Sequence, residues 1–194
     1  MLKIATHDSA SGEKGKGLLS IIGTPFAKTQ SKTIKQQYEV GCRMFDIRVK
    51  LFNGVWRCAH GLWKSKRLAI DIIREINLFD DTCYVTLTYE GNSKHKKEFI
   101  DFVGKIQKEV TNIHWGGIAI KYGEGSNLFK VKYDYIKRGI NFPSVRQGFL
   151  PLNGNTWHII LPIPYIWKKI YNDKPIFNEN YYIYVDDIRE DNGW

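Results

Sequence analysis

The sequence predicts an α/β domain built around a parallel sheet. Short, alternating, β-branched segments recur along the chain, and amphipathic helical segments of ten to twenty residues separate them. A length of 194 residues with 43% hydrophobic content suits one domain with a real core and leaves too little for two.

Taken in order, strands are expected over residues 2–6, 44–51, 55–59, 82–89 and 117–122, with two later ones near 157–161 and 181–185. Residues 32–40 predict a helix stopped by Gly41. Leu68, Ile72, Ile73 and Ile76 share one helical face before NLFDD closes it, and Phe99, Val103, Ile106, Val110 and Ile113 repeat the spacing. Beyond Tyr122 helical periodicity fades, and GINFPSVRQGFLPLNGN reads as irregular chain. No internal repeat or low-complexity segment is visible.

A net charge of +9 favours an anionic partner such as phosphate, nucleic acid or acidic lipid without choosing among them. Cys42, Cys58 and Cys83 are odd in number and lack CxxC or Cys/His spacing, so reduced buried thiols are expected rather than a disulfide framework or a zinc site. No stretch approaches the roughly 20 apolar residues of a membrane span, and no signal peptide is visible. The expectation is a cytoplasmic protein or a trimmed secreted form, with peripheral membrane contact only.

Three strand ends carry polar groups: T-H-D, F-D-I-R and A-H-G. In an α/β barrel or doubly wound sheet such ends converge at one edge, which would gather His7, Asp8, Asp46, Arg48 and His60. Two imidazoles can divide the acid and base halves of a reaction. An arginine between them matches phosphate oxygens and the charge they gain in a transition state, while neighbouring carboxylates fix tautomers. This set can cleave a phosphodiester with no metal or other cofactor. Taken singly, His-Asp and His-Gly are ordinary dipeptides, and Asp46 with Arg48 could be a same-face ion pair. Their order at successive strand ends is what chance explains poorly.

THDSA, then TQSKTIKQQYEVGCRMFDIRV, then CAHG together resemble the X-box region of the phosphatidylinositol-specific phospholipases C. The match is densest over residues 4–61 and most specific over 30–49. The resemblance implies an irregular TIM-like (β/α) barrel, reduced or distorted here because such barrels usually take about 250 residues. It implies that His7 deprotonates the inositol 2-hydroxyl, Arg48 binds the phosphate, and His60 protonates the diacylglycerol oxygen with help from Asp8. Asp46 would belong to the network around Arg48 and His60. Asp186, rather than Asp187, would orient His7 from the last strand. Lys121 is the counterpart of a middle-strand substrate cation.

Eukaryotic members use calcium and carry acidic ligands where this chain has Arg48, so the metal-independent bacterial type is expected; Glu90 keeps a calcium alternative open. The implied partner is an anionic phospholipid at a membrane surface, with no obligate protein partner. Tyr133, Asp134 and Tyr135 could floor an inositol ring, Tyr135 as a substrate contact, against the plainer reading of an exposed strand or turn. Trp167 beside Lys168 and Lys169 could anchor at an interface or pack in the core. His95, His114 and His158 are taken as structural. A ribonuclease-like enzyme would use the same chemistry, but no RNA-binding motif is recognisable, so nucleic acid is not the expected partner. A non-catalytic phosphoinositide binder would be expected to have lost a catalytic residue.

Overall fold

The computed structural model describes residues 3–124, 127–137, 145–147 and 182–185. Strand β1 (Ile4–Thr6) leads through a 3-10 turn (Ser9–Gly12) to helix α1 (Leu18–Ala27) and helix α2 (Ile34–Glu39). Thr33 caps α2 by accepting from the Gln36 N–H while Gln36 reaches back to the Thr33 N–H, a reciprocal arrangement that satisfies two orphan donors. Then come β2 (Cys42–Phe52), β3 (Val55–His60), β4 (Trp63–Lys64), α3 (Ala69–Asn77), β5 (Cys83–Tyr89), α4 (Lys96–Glu109), β6 (Ile113–Glu124), β7 (Asn127–Lys137), β8 (Val145–Gln147) and β9 (Tyr182–Val185).

The strands form one sheet in the order β7-β6-β5-β2-β1-β9-β8, with β3 attached to β2 and β4 to β3. Pairings from β8 through β6 are parallel, while β6–β7, β2–β3 and β3–β4 are antiparallel. Alternation along each strand divides the sheet into two faces. Phe45, Ile47, Val49, Val85, Leu87, Ile118 and Ile120 point to the face that α3 and α4 cover with Ile72, Ile73, Ile76, Phe99 and Ile106. Each such aliphatic side chain contributes about 1.5–3 kcal/mol on burial. The other face carries Asp46, Arg48, Thr86, Thr88 and Lys121 in paired register.

The α/β class and the helix-covered parallel core agree with the sequence expectation, but closure into a barrel does not. Among the described residues the sheet is open, ending at β7 on one side and β8 on the other. Closure requires the two edges to meet at a fixed stagger; here β7 instead folds straight back on β6 as a hairpin partner. Several element expectations also need correction. β3 is not a parallel strand but returns antiparallel from β2 through Asn53 and Gly54, both at positive φ (50° and 77°). Ile113 does not extend the α4 face; Val110 caps that helix and Ile113 begins β6. β8 lies in the stretch expected to be irregular, β7 agrees with the plainer reading of residues 133–135 as exposed strand, and α1 was not expected at all. The strand expected at residues 157–161 lies outside the described residues, as do Trp167 and His158.

Cys42, Cys58 and Cys83 are free and buried. Burial pushes all three thiols up, Cys42 to about 11 and Cys83 to about 12. No described helix is long and apolar enough to cross a membrane.

Candidate active site

β1 ends level with the middle of β2, Thr6 pairing with Phe45 on one side and Val185 on the other. The His7 N–H donates to the Val185 carbonyl at 3.0 Å. The His7 carbonyl accepts from Thr29 Oγ1 at 2.9 Å and from Gln30 Nε2 at 3.0 Å, and Gln30 Nε2 lies equally close to the Val185 carbonyl. Asp8 then adopts a left-handed conformation, φ 50° and ψ 46°, which aspartate tolerates better than most residues but at a cost of roughly 1–2 kcal/mol. Ser9 Oγ accepts from the Asp46 N–H at 2.8 Å, tying this turn to β2.

Arg48 lies at the centre of the resulting cluster, its side chain 11% exposed. Its Nε donates to Asp46 Oδ2 at 3.0 Å and sits 3.6 Å from Asp8 Oδ1. Nη1 donates to Glu90 Oε1 at 3.2 Å, and Nη2 lies 2.7 Å from His7 Nε2. Asp46 also accepts from the Asp8 N–H and from Thr86 Oγ1, each at 3.2 Å. Lys121 Nζ donates to Glu90 Oε1 at 3.0 Å. On the other flank His60 Nδ1 is in direct contact with Asp8 Oδ2.

These contacts settle the tautomers. A guanidinium has no acceptor, so His7 Nε2 must offer its lone pair to Arg48. Asp8 requires the proton of His60 on Nδ1, leaving His60 Nε2 as the working nitrogen. Burial pushes His60 down to about 4; Lys121 and His7 add to the depression and Glu90 opposes it. Burial alone would raise the Glu90 carboxyl, yet His60, Arg48 and Lys121 together pull it down to about 2. With His60 neutral, the carboxylates of Asp8, Asp46 and Glu90 face the cations of Arg48 and Lys121, and an incoming anion would favour protonation of His60.

Five residues singled out by sequence, His7, Asp8, Asp46, Arg48 and His60, thus meet in one cluster. The route differs from three aligned strand ends. Asp46 and Arg48 lie within β2, level with the ends of β1 and β5, and the antiparallel return of β3 carries His60 back to that level. Lys121 joins through Glu90. Tyr135 pairs with Ala119 on β7, on the same sheet face but three strands from Arg48, and is 46% exposed. Asp134 faces the other way, where Lys96 Nζ holds it at 2.8 Å, so the floor of two tyrosines and a carboxylate does not form as one surface. His95 pairs with Glu98 and His114 stacks on Tyr84. Asp186 and Asp187 lie outside the described residues.

Glu90 enters as a partner of Arg48 and Lys121, a role that sequence did not suggest for it. Among the described residues no three acidic, imidazole or thiol groups are arranged to hold a metal ion. Gln30, Thr29, Ser9 and Thr86 hold the cluster from behind and also went unmarked; only the placement of Gln30 inside the most specific motif hinted at them.

No protein-family model matches the chain, and no curated protein matches it in sequence. Among solved structures it is similar in fold to a phosphatidylinositol-specific phospholipase C from Listeria monocytogenes, with a TM-score of 0.55 and 14% sequence identity, covering 98% of this chain and 90% of that one.

Proposed function

We propose that this chain is a phosphodiesterase that cleaves phosphatidylinositol-type phospholipid by intramolecular transesterification, without a metal ion. The observation behind it is a guanidinium held 2.7 Å from one imidazole, with a second imidazole oriented by the aspartate that also approaches that guanidinium. The likeness in fold to a phospholipase C and the X-box motifs support the same assignment.

In the proposed reaction Arg48 binds the phosphate, releasing the His7 lone pair to take the proton of the inositol 2-hydroxyl. That oxygen attacks phosphorus, the bond to the diacylglycerol oxygen breaks, and His60 supplies that oxygen with its proton. The products are a cyclic inositol phosphate and diacylglycerol. His60 is protonated in step with the binding of the anionic substrate, and Asp8 stabilises its imidazolium. Asp46 keeps Arg48 in place, Asp186 orients His7, and Lys121 and Tyr135 contact the headgroup. Each proton transfer is worth roughly 10²–10⁴-fold, and the cationic clamp adds electrostatic stabilisation of the same order.

Phosphorus NMR of phosphatidylinositol vesicles incubated with the protein in EDTA tests this directly. A cyclic phosphate signal from the wild type, reduced at least about 100-fold in His7→Ala, is the expected result. Absence of any signal, with or without calcium, overturns inositol-lipid cleavage and directs the assay to RNA, with the same variant as control.

A further inference from the structure

Three consecutive backbone carbonyls in the turn after β1 are all engaged, and the residue in the middle is strained. Asp8 stands at φ 50° and ψ 46°, a left-handed conformation that a residue other than glycine keeps only when its surroundings impose it. The His7 carbonyl accepts from Thr29 Oγ1 at 2.9 Å and from Gln30 Nε2 at 3.0 Å. The Asp8 carbonyl accepts from the Ser11 N–H at 2.8 Å, and the Ser9 carbonyl from Gln37 Nε2 at 2.7 Å. The peptide groups on both sides of Asp8 are thereby fixed.

The two glutamines act alike. Gln30 Nε2 also lies 3.0 Å from the Val185 carbonyl, and Gln37 Nε2 also lies 2.7 Å from the Lys32 carbonyl. Each amide commits both of its hydrogens to two carbonyls from different segments. That fixes its orientation, because the flipped amide would set oxygen against oxygen. Both side chains are fully buried, where an amide is tolerated only with its hydrogens accepted. The frame that carries them is itself tied to the turn. Ser11 Oγ accepts from the Thr29 and Gln30 N–H groups at 3.1 and 3.0 Å. Glu13 Oε1 accepts from the Ile34 N–H at 3.1 Å, satisfying an otherwise orphaned donor in the first turn of α2.

We propose that Gln30 and Gln37 are positioning residues for His60. By gripping the carbonyls before and after Asp8 they hold its left-handed turn. That turn sets the Asp8 carboxylate between His60 and Arg48, Oδ2 in contact with His60 Nδ1 and Oδ1 3.6 Å from Arg48 Nε. Asp8 in turn keeps the proton of the neutral imidazole on Nδ1, which leaves Nε2 as the working nitrogen. The role in turnover rests on the lipid-cleaving function above: releasing Asp8 would misalign the acid that protonates the leaving oxygen while the groups that bind the headgroup stay in place.

Ring-nitrogen NMR of His60 above pH 6.5, with no substrate present, tests the positioning by itself. The wild type should carry its proton on Nδ1. Gln30→Met and Gln37→Met remove the donors at similar side-chain volume, and in each a fraction of His60 should move to the Nε2–H tautomer. Ile106→Val weakens the core on the opposite face of the sheet and should keep the wild-type tautomer, which separates positioning from loss of stability. With phosphatidylinositol as substrate, kcat of the glutamine variants should fall by roughly 10- to 100-fold with KM little changed. Gln30→Met leaves the His7 carbonyl its bond from Thr29 and the Val185 carbonyl its bond from the His7 N–H, so it decides the matter should Gln37→Met not fold. A wild-type tautomer in folded Gln30→Met overturns the proposal, as does an equal shift in Ile106→Val or an undiminished kcat where the tautomer has moved. A wild type that cleaves no lipid, with the tautomer shift intact in the glutamine variants, would sustain the positioning while the enzymatic function fails.

Discussion

Arg48 and Glu90 show how much of the site is decided by single contacts. The guanidinium distributes its donors among Asp46, Glu90 and His7, so its position is fixed before any substrate arrives. Glu90 in turn bridges Arg48 to Lys121 and sets part of the field at His60. Because Lys121 depresses the His60 imidazole and Glu90 supports it, removing each charge should shift its titration in opposite directions. In ring-nitrogen NMR, Lys121→Met is expected to raise the His60 midpoint and Glu90→Gln to lower it. Shifts of the same sign in both variants would mean that structural rearrangement, not charge, governs His60. The five residues at motif positions were legible because each motif carries its chemistry in two or three adjacent letters. Glu90 and Lys121 are 31 positions apart with an entire helix between them, and only the register Thr88↔Ala119 places them together.

At the scale of elements, the β2–β3 hairpin matters most, since it alone brings His60 back to Arg48. The β2–β3 pairing runs as far as Val49 opposite Cys58, and His60 continues two residues beyond it to its contact with Asp8. Asn53 and Gly54 both have positive φ, the requirement of the two-residue turns that match strand twist. Gly54→Val places a β-branched residue where L-residues are rare and should cost roughly 1–2 kcal/mol, about 2–8 °C in Tm for a chain of this size. Turnover should fall more than stability accounts for, because His60 ends the displaced strand; Gly54→Asn should be much milder. Equal activity in the two variants at matched folding would show that the turn does not set His60. The Asn-Gly pair was visible in sequence as a hairpin signal, yet the regular spacing of strands and helices favoured a parallel reading. α1 escaped notice for a different reason: LLSIIG runs its apolar residues together instead of spacing them about a polar face, and nothing local says that the large ones point outward.

At the scale of the whole molecule, the sheet keeps one face for its apolar core and the other for a dense set of buried charges, which ties folding to pH. The His60 imidazole is depressed from its ordinary 6.5 to about 4, so below 6.5 the unfolded chain binds a proton that the folded chain refuses. Its contribution is fully present above 6.5 and is lost as pH falls from there through 4. Glu90, held near 2 against an ordinary 4.5, contributes above 4.5 and loses that contribution only as pH falls towards 2. The two windows are separable. Between pH 6.5 and 4 the loss assignable to His60 is at most about 3 kcal/mol, and the Asp8 carboxylate against its Nδ1 reduces it by favouring the imidazolium. Tm measured across this range should therefore decline in the wild type and decline less steeply in His60→Gln, while Glu90→Gln should flatten the curve only at lower pH. A His60→Gln curve parallel to the wild type above pH 4.5 would place the acid sensitivity elsewhere in the charged face and remove the basis for a neutral, half-buried His60 in the resting protein.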